Sequence, residues 1–78
     1  MKVKLFSTPT CGYCFALKQF LKGNNIEFEL ADVSVDIESQ KEMMSNTGQM
    51  FVPVLKIENE YIVGFDRKVI CEKLNIKE

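Results

Sequence analysis

The stretch STPTCGYCFALKQFLKG, residues 7–23, decides the fold, because it carries two cysteines three residues apart at a change of hydrophobic pattern. The preceding run VKLF (3–6) is short and apolar, which is typical of a buried strand, and STPT ends it. From here the apolar residues recur at helical spacing: Tyr13, Ala16, Leu17, Phe20 and Leu21. Cys11 therefore lies where a helix begins, and Cys14 lies one turn further along the same side.

Length and composition predict one domain spanning residues 1–78. Hydrophobic residues make up 46% of the chain and charged residues 27%, an ordinary balance for a globular protein. The net charge of −1 argues against nucleic acid as a partner, since that role requires a basic surface. No apolar segment is long enough for a bilayer, and the run in MKVKLFS is too short for a signal peptide. We expect a cytoplasmic monomer that binds neither nucleic acid nor membrane.

Seven segments with strand or helix patterns follow in the order β-α-β-α-β-β-α, which indicates the α/β class. After the first strand and helix, the segments are IEFEL (26–30), a helix from Asp36 to about Asn46, VPVLKI (52–57), YIV (61–63) and a last helix capped by Asp66. The first two strands flank a helix and should be parallel, whereas the last two form a hairpin. We expect a four-stranded mixed sheet with helices on both faces.

Turn and cap residues refine these boundaries. Gly23 is expected to end the first helix and Gly48 the second, each in the position after the helix where glycine is favoured. Asn59 should take the left-handed position of the hairpin turn. The apolar side of the second helix should consist of Ile37, Met43 and Met44.

Three roles are open to the cysteine pair: a disulfide staple, a metal site or redox chemistry. Three cysteines are an odd number for a disulfide framework, and a bridge across so short a loop would constrain the unfolded chain little. A zinc site needs four ligands, but the sequence offers one pair, no histidine and a third cysteine, Cys71, far away. We therefore expect no metal site.

Redox chemistry fits the position of the pair. The thiolate is the reactive form of cysteine, and the free N–H groups and positive dipole end of a helix stabilise an anion at Cys11. Cys14 should be less accessible, yet close enough to attack a mixed disulfide at Cys11. A Cys-x-x-Cys beside a βαβ pattern is the signature of a thioredoxin-like redox fold. In that fold the proline at the place of Pro53 is cis and packs beside the cysteines, so we predict a cis peptide bond there.

Nearly the whole chain resembles the glutaredoxin family, in particular small bacterial glutaredoxin-like proteins. The resemblance rests on TPTCGYC (8–14), FELADV (28–33), TGQMFVP (47–53) and VGFD (63–66), in this order and spacing. It implies a single glutaredoxin-like domain that acts as a thiol–disulfide oxidoreductase on protein disulfides or glutathione mixed disulfides. Cys11 would be the attacking cysteine and Cys14 the resolving one. No permanently bound cofactor is expected.

The resemblance also implies a substrate groove. Its expected residues are Thr10, Gly12, Tyr13, Val52, Pro53, Gly64, Phe65 and Asp66. Val52 would offer its backbone to the cysteinyl unit of the substrate, and Gly64 and Asp66 would receive the γ-glutamyl end of glutathione. Phe65 is either an exposed aromatic that touches a partner or a structural plug under the last helix. The same choice is open for Phe51.

Several positions depart from the family pattern. Gly12 stands where glutaredoxins usually have proline, and Thr8 and Gln49 stand where glutathione users have lysine and often arginine. Two cationic contacts for a carboxylate are thereby missing, so we expect weaker use of glutathione. The segment GF (64–65) resembles electron donors that thioredoxin reductase reduces, which leaves glutathione and thioredoxin reductase both open as electron source.

Two further expectations follow. The small residue at position 12 resembles family members that carry iron–sulfur clusters, so a glutathione-dependent iron–sulfur carrier is the alternative function. Cys71 lies beside Ile70 and three residues before Leu74 in the last predicted helix. We expect it to be a partly buried cysteine without a role in the chemistry.

Overall fold

The computed structural model describes residues 2–76, which form one four-stranded sheet flanked by three helices. The elements in chain order are β1 (Val3–Ser7), α1 (Gly12–Gly23), β2 (Glu29–Asp32), α2 (Ile37–Thr47), β3 (Val54–Ile57), β4 (Glu60–Val63) and α3 (Arg67–Leu74). The strand order is β2-β1-β3-β4, in which β1 is parallel to β2 and antiparallel to β3, and β3 is antiparallel to β4. The predicted element order and mixed sheet are confirmed.

The sheet has an apolar core on each face. The first core contains Val3, Leu5, Leu17, Leu21, Leu55, Ile57, Ile62, Ile70 and Leu74, and so joins the sheet to α1 and α3. The second contains Phe6, Ala31, Val33, Met43 and Val54, and joins the sheet to α2. Neighbouring residues such as Leu5 and Phe6 serve different cores because successive side chains of a strand point to opposite faces. The helices therefore cover both faces, as predicted.

The helix caps follow local sequence closely. The carboxylate of Asp36 accepts the N–H of Ser39 at 3.2 Å, and Asp66 begins α3 in the same way. Gly48 ends α2 with a φ of 69°, as predicted. Gly23 was expected in the position after α1, and this prediction is wrong because Gly23 is still the last residue of the helix. The left-handed residue after α1 is Asn25, with a φ of 58°. Within residues 2–76, no helix has the length and apolar character needed to cross a membrane.

The hairpin turn and β2 also differ from expectation. The left-handed residue between β3 and β4 is Glu58, with a φ of 55°, and not Asn59. Two contacts hold Glu58 there: its N–H donates to the carbonyl of Lys2 at 2.8 Å, and its carboxylate accepts the N–H of Lys2 at 3.1 Å. The second strand was predicted over 26–30 but spans Glu29–Asp32, because pairing with β1 begins only at Glu29.

Only part of the predicted apolar side of α2 is buried. Met43 is fully buried, whereas Ile37 and Met44 are exposed, so the prediction is wrong for these two residues. The inner side of α2 is completed instead by polar groups, since Ser39 is buried with its hydroxyl donating to Asp36. This helix is held to the sheet by charges as well as by apolar packing.

A network of four polar side chains joins α2 to the sheet. The carboxylate of Glu42 accepts hydrogen bonds from Lys4 at 3.0 Å, from Lys56 at 2.8 Å and from the hydroxyl of Tyr61 at 2.7 Å. Burial opposes the charged form of Glu42, but the hydrogen bonds from Lys56, Tyr61 and Lys4 outweigh it and lower its pKa to about 2. We call these residues the Glu42 network. It links α2 to β1, β3 and β4 at once.

Candidate active site

The sheet register brings the cysteine loop, Pro53 and Gly64 to the same end of the sheet. Strand β1 ends just before the loop that carries Cys11, and its Phe6 is paired with Val54, the residue after Pro53. The N–H of Gly64, which directly follows β4, donates to the carbonyl of Pro53 at 2.8 Å. Three segments that are distant in sequence therefore meet around the first turn of α1.

Cys11 is the N-cap of α1. Its backbone is extended, with φ −91° and ψ 111°, and its sulfur accepts the N–H of Cys14 at 3.1 Å. This is the position at which a helix has free N–H groups and the positive end of its dipole. Its side chain is also partly exposed. A thiolate at Cys11 would be stabilised by these groups and still be within reach of a substrate.

Cys14 has the opposite environment. It lies on the inner side of α1 and is only 4% exposed. Burial, together with the neighbouring sulfur of Cys11, raises the pKa of the Cys14 thiol to about 12. Two cysteines one turn apart thus differ in access to solvent. Cys71, the third cysteine, is buried on α3.

The expected groove residues before and within α1 lie on the surface. Thr10, Gly12 and Tyr13 are exposed, Tyr13 by 73% of its surface. Apart from Gly12 itself, its chain neighbours and the backbone of its own helix, no described atom lies within 4 Å of the place that a Cβ on Gly12 would take. The side chain of Tyr13 thus belongs to the surface around Cys11, whereas Leu17 and Leu21 of the same helix belong to the core.

The Val52–Pro53 peptide bond is cis, as predicted. Pro53 is buried and Val52 is half-buried against the second core. Gly64 has a φ of 83°, a conformation that favours glycine. The resemblance implied only that Gly64 receives a ligand, and the structure adds the hydrogen bond to Pro53 that fixes its place.

Phe65 and Asp66 turn towards α3. The ring of Phe65 packs half-buried against the first core, and its centre lies 5.5 Å from that of Phe20. Of the two roles considered for Phe65, this packing supports a structural plug under the last helix over an exposed partner contact. Asp66 is exposed, and its carboxylate accepts the N–H of Val69 at 3.4 Å. Phe51, by contrast, faces solvent, with 79% of its surface exposed.

The loop before Pro53 contains an arrangement that the sequence did not reveal. The side chain of Gln49 forms two hydrogen bonds inside its own loop, one to Thr47 and one to the backbone of Phe51. In the sequence, this contact was indicated by the two-residue spacing between the hydroxyl of Thr47 and the side-chain amide of Gln49. The departure from arginine at position 49 therefore replaces a charge with a group that is engaged with its own chain.

Two cavities help to define what the site can accommodate. One of about 180 Å³ lies beside the cysteines, between α1 and β2, and its lining includes Cys11, Cys14, Lys18 and Asp32. A larger one, about 720 Å³, lies around the start of β1 at the opposite end of the sheet, and no cysteine lines it. Within residues 2–76, no group of three or more histidine, cysteine, aspartate or glutamate side chains could hold a metal ion.

Comparison with known proteins agrees with this architecture. The fold is thioredoxin-like: the thioredoxin-like protein BC3987, in a variant form, superposes with a TM-score of 0.92 at 29% identity, and the match covers 97% of each chain. The family model for glutaredoxin matches residues 3–62. The chain belongs to the glutaredoxin family.

Two relatives indicate the breadth of the match. A glutaredoxin-like 8.6 kDa protein encoded in a rubredoxin operon of Clostridium pasteurianum, described as uncharacterized, is 41% identical over 68 residues, or 87% of this chain and 91% of that protein. The glutaredoxin of Methanosarcina mazei has a TM-score of 0.84 at 28% identity, covering 94% of this chain and 77% of the other. Membership of the family supports thiol oxidoreductase chemistry in general.

Proposed function

We propose that this protein is a thiol–disulfide oxidoreductase in which Cys11 is the nucleophile and Cys14 the resolving cysteine. The observation that carries the proposal is the hydrogen bond from the N–H of Cys14 to the sulfur of Cys11 at a helix N-terminus. It stabilises a thiolate on the exposed member of the pair. The buried member, Cys14, remains a protonated thiol until it is needed.

The reaction consists of two exchanges. The Cys11 thiolate attacks one sulfur of the substrate disulfide, which forms a mixed disulfide and releases one substrate thiolate that takes up a proton. Cys14 then loses its proton and attacks the sulfur of Cys11, which releases the second substrate thiol. Two electrons and two protons pass to the substrate, and the protein is left with a Cys11–Cys14 disulfide.

The substrate groove of this proposal combines the exposed and backbone groups around Cys11. Val52 would pair its backbone with the cysteinyl unit of the substrate, beside Pro53. Thr10, Gly12, Tyr13, Gly64, Phe65 and Asp66 would form the walls. Asp66 can meet a cationic group such as an amine while it caps α3, since a carboxylate has more acceptor positions than the Val69 N–H uses.

The oxidised protein must be reduced again, and both candidate donors are consistent with the site. Glutathione would do so in two exchanges, and the glutaredoxin family generally uses it. Thioredoxin reductase would transfer both electrons directly. Because Thr8 and Gln49 supply no cation for a carboxylate, we propose that glutathione is a weak donor and thioredoxin reductase at least an equal one. We propose that the protein acts as a monomer in the reducing cytoplasm.

Serine variants of the cysteines test the scheme. Cys11→Ser should be inactive towards every disulfide. Cys14→Ser should accumulate a mixed disulfide between Cys11 and a protein substrate, detectable by mass spectrometry, yet retain exchange with glutathione mixed disulfides, which a second glutathione can resolve. Cys71→Ser is the matched control and should behave like wild type. Full activity of Cys11→Ser would refute the proposed mechanism.

A further inference from the structure

The side chain of Gln49 connects the end of α2 to the segment that leads to Pro53. Its amide nitrogen donates to the hydroxyl oxygen of Thr47 at 3.0 Å, and its amide oxygen accepts the N–H of Phe51 at 2.5 Å. The hydroxyl of Thr47 in turn donates to the carbonyl of Met43, in α2, at 2.7 Å. A continuous chain of hydrogen bonds therefore runs from the helix to the backbone of Phe51.

This chain determines which groups the loop shows to solvent. The amide of Gln49 is directed at its own loop, so the end of the side chain that would meet a ligand is already engaged. The N–H of Phe51 is engaged as well, and Phe51 as a residue is 79% exposed. Two residues further on is Pro53, at the end of the sheet where α1 begins.

The three segments that meet around Cys11 lack positive charge, and the lysine that lines the cavity beside the cysteines, Lys18, belongs to α1 instead. The three segments that meet there, residues 7–13, 47–53 and 63–66, contain no lysine or arginine, and their single charged residue is Asp66. Their exposed large side chains are Tyr13, Met50, Phe51 and Val63. A ligand recognised through carboxylates meets no cation in these segments, whereas an apolar side chain can bury surface against an aromatic ring.

We propose that Gln49 is a positioning residue that holds Phe51 as the docking residue for an apolar side chain next to the disulfide of a protein substrate. The inference rests on the proposed function and names its substrate class: disulfides in polypeptides with apolar flanking residues. Gln49 acts through Phe51 and does not touch the reacting sulfur atoms. Exchange itself proceeds at Cys11 and Cys14 as described above, with two electrons and two protons passing to the peptide.

Three disulfide substrates distinguish a failure of this inference from a failure of the proposed function. The first is a peptide disulfide with phenylalanine beside each cysteine, the second is the same peptide with glutamate in those places, and the third is hydroxyethyl disulfide, which is small and uncharged. Second-order rate constants are measured with the reduced protein by acid quenching, alkylation and mass spectrometry. Wild type should react about 10-fold faster with the phenylalanine peptide than with the glutamate peptide, which corresponds to ~1.4 kcal/mol.

Variants at position 49 test the positioning role. In Gln49→Ala, the rate with the phenylalanine peptide relative to hydroxyethyl disulfide should fall about 3- to 10-fold. Gln49→Glu keeps an oxygen that accepts the N–H of Phe51 but loses the donation to Thr47, whose own proton goes to Met43, so it should retain more of this ratio than Gln49→Ala. The matched control is Gln40→Ala, which removes a glutamine of α2 whose amide donates to the carbonyl of Val33, away from the loop. It should leave the ratio unchanged.

A double-mutant cycle with Phe51→Ala decides whether Gln49 acts through Phe51. Phe51→Ala should lower the ratio at least as much as Gln49→Ala, and the double variant should be no worse than Phe51→Ala alone. Additive losses, or an unchanged ratio in Gln49→Ala, would overturn the inference, as would a wild-type preference for the glutamate peptide. An equal loss with all three disulfides would also overturn it, since that indicates general damage. Absence of exchange with all three in wild type would instead overturn the proposed function.

Discussion

Replacing Glu42 by glutamine removes the charge at the centre of the Glu42 network. The carboxylate receives hydrogen bonds from Lys4, Lys56 and Tyr61, so glutamine would leave two ammonium groups next to a neutral amide. The amide can still accept some of these bonds, but it cannot offset the charges. We expect Glu42→Gln to lower the free energy of unfolding at pH 7.

The magnitude follows from the pKa of Glu42, which the network lowers from an ordinary value of 4.5 to about 2. Without screening, this difference would correspond to about 3 kcal/mol of stability. Because the Glu42 side chain is 25% exposed and solvent screens the charges, we expect about 1–2 kcal/mol. The folded-state pKa lies below the unfolded one, so this stabilisation is fully present above about pH 4.5 and is lost as the pH falls through about 2.

Urea unfolding, followed by far-UV circular dichroism at pH 7 and at pH 2, measures both effects. The stability difference between wild type and Glu42→Gln should be about 1–2 kcal/mol at pH 7 and should shrink by at least half at pH 2. Glu29→Gln is the control, because Glu29 contacts the same Lys4 at 3.6 Å but its side chain is 71% exposed. It should change stability by less than about 0.5 kcal/mol. Equal effects of the two variants at pH 7, or a difference that does not depend on pH, would show that the network does not stabilise the fold as argued.

Three further predictions concern the cysteines, the glycines and Phe65. At pH 7, iodoacetamide should modify Cys11 at least about 100-fold faster than Cys14, because burial and a pKa of about 12 suppress the Cys14 thiolate; comparable rates by mass spectrometry would contradict this. Gly48→Ala should lower the unfolding free energy by about 1–2 kcal/mol because the φ of Gly48 is 69°. Gly23→Ala, at the last residue of α1, should raise the unfolding free energy by up to ~1 kcal/mol. A stabilising Gly48→Ala or a destabilising Gly23→Ala in urea unfolding would be inconsistent with the described backbone. Phe65→Ala should lower the unfolding free energy by about 2 kcal/mol, since the ring packs on the first core; an unchanged urea midpoint would favour the alternative of an exposed partner contact.

Features that depend on neighbouring residues were predictable from the sequence. Cys14 follows Cys11 by three residues, which is about one helical turn. This spacing was enough to predict that the two cysteines lie side by side at the N-terminus of α1. Caps are equally local, which is why Asp36, Asp66 and Gly48 were predicted correctly. The order of elements followed from hydrophobic periodicity, and the mixed sheet followed from the order.

Boundaries and exposure depended on pairing between strands, which a local pattern does not contain. The alternation in residues 26–30 predicted a strand, yet β2 begins at Glu29, where β1 provides hydrogen-bond partners. At the edge of the sheet, Leu30 of β2 is then 51% exposed. The same holds for Glu58, whose left-handed conformation is supported by contacts with Lys2 at the other end of the chain.

The sequence by itself determined that two cysteines stand at the start of a helix in an α/β domain, because spacing and periodicity are local properties. Only the tertiary structure decided which distant residues surround a given side chain. The Glu42 carboxylate, for example, is surrounded by partners that lie 14 to 38 residues away in the sequence. Such a side chain could form hydrogen bonds of similar strength with several partners, and the geometry of the packed chain determines which of these bonds form.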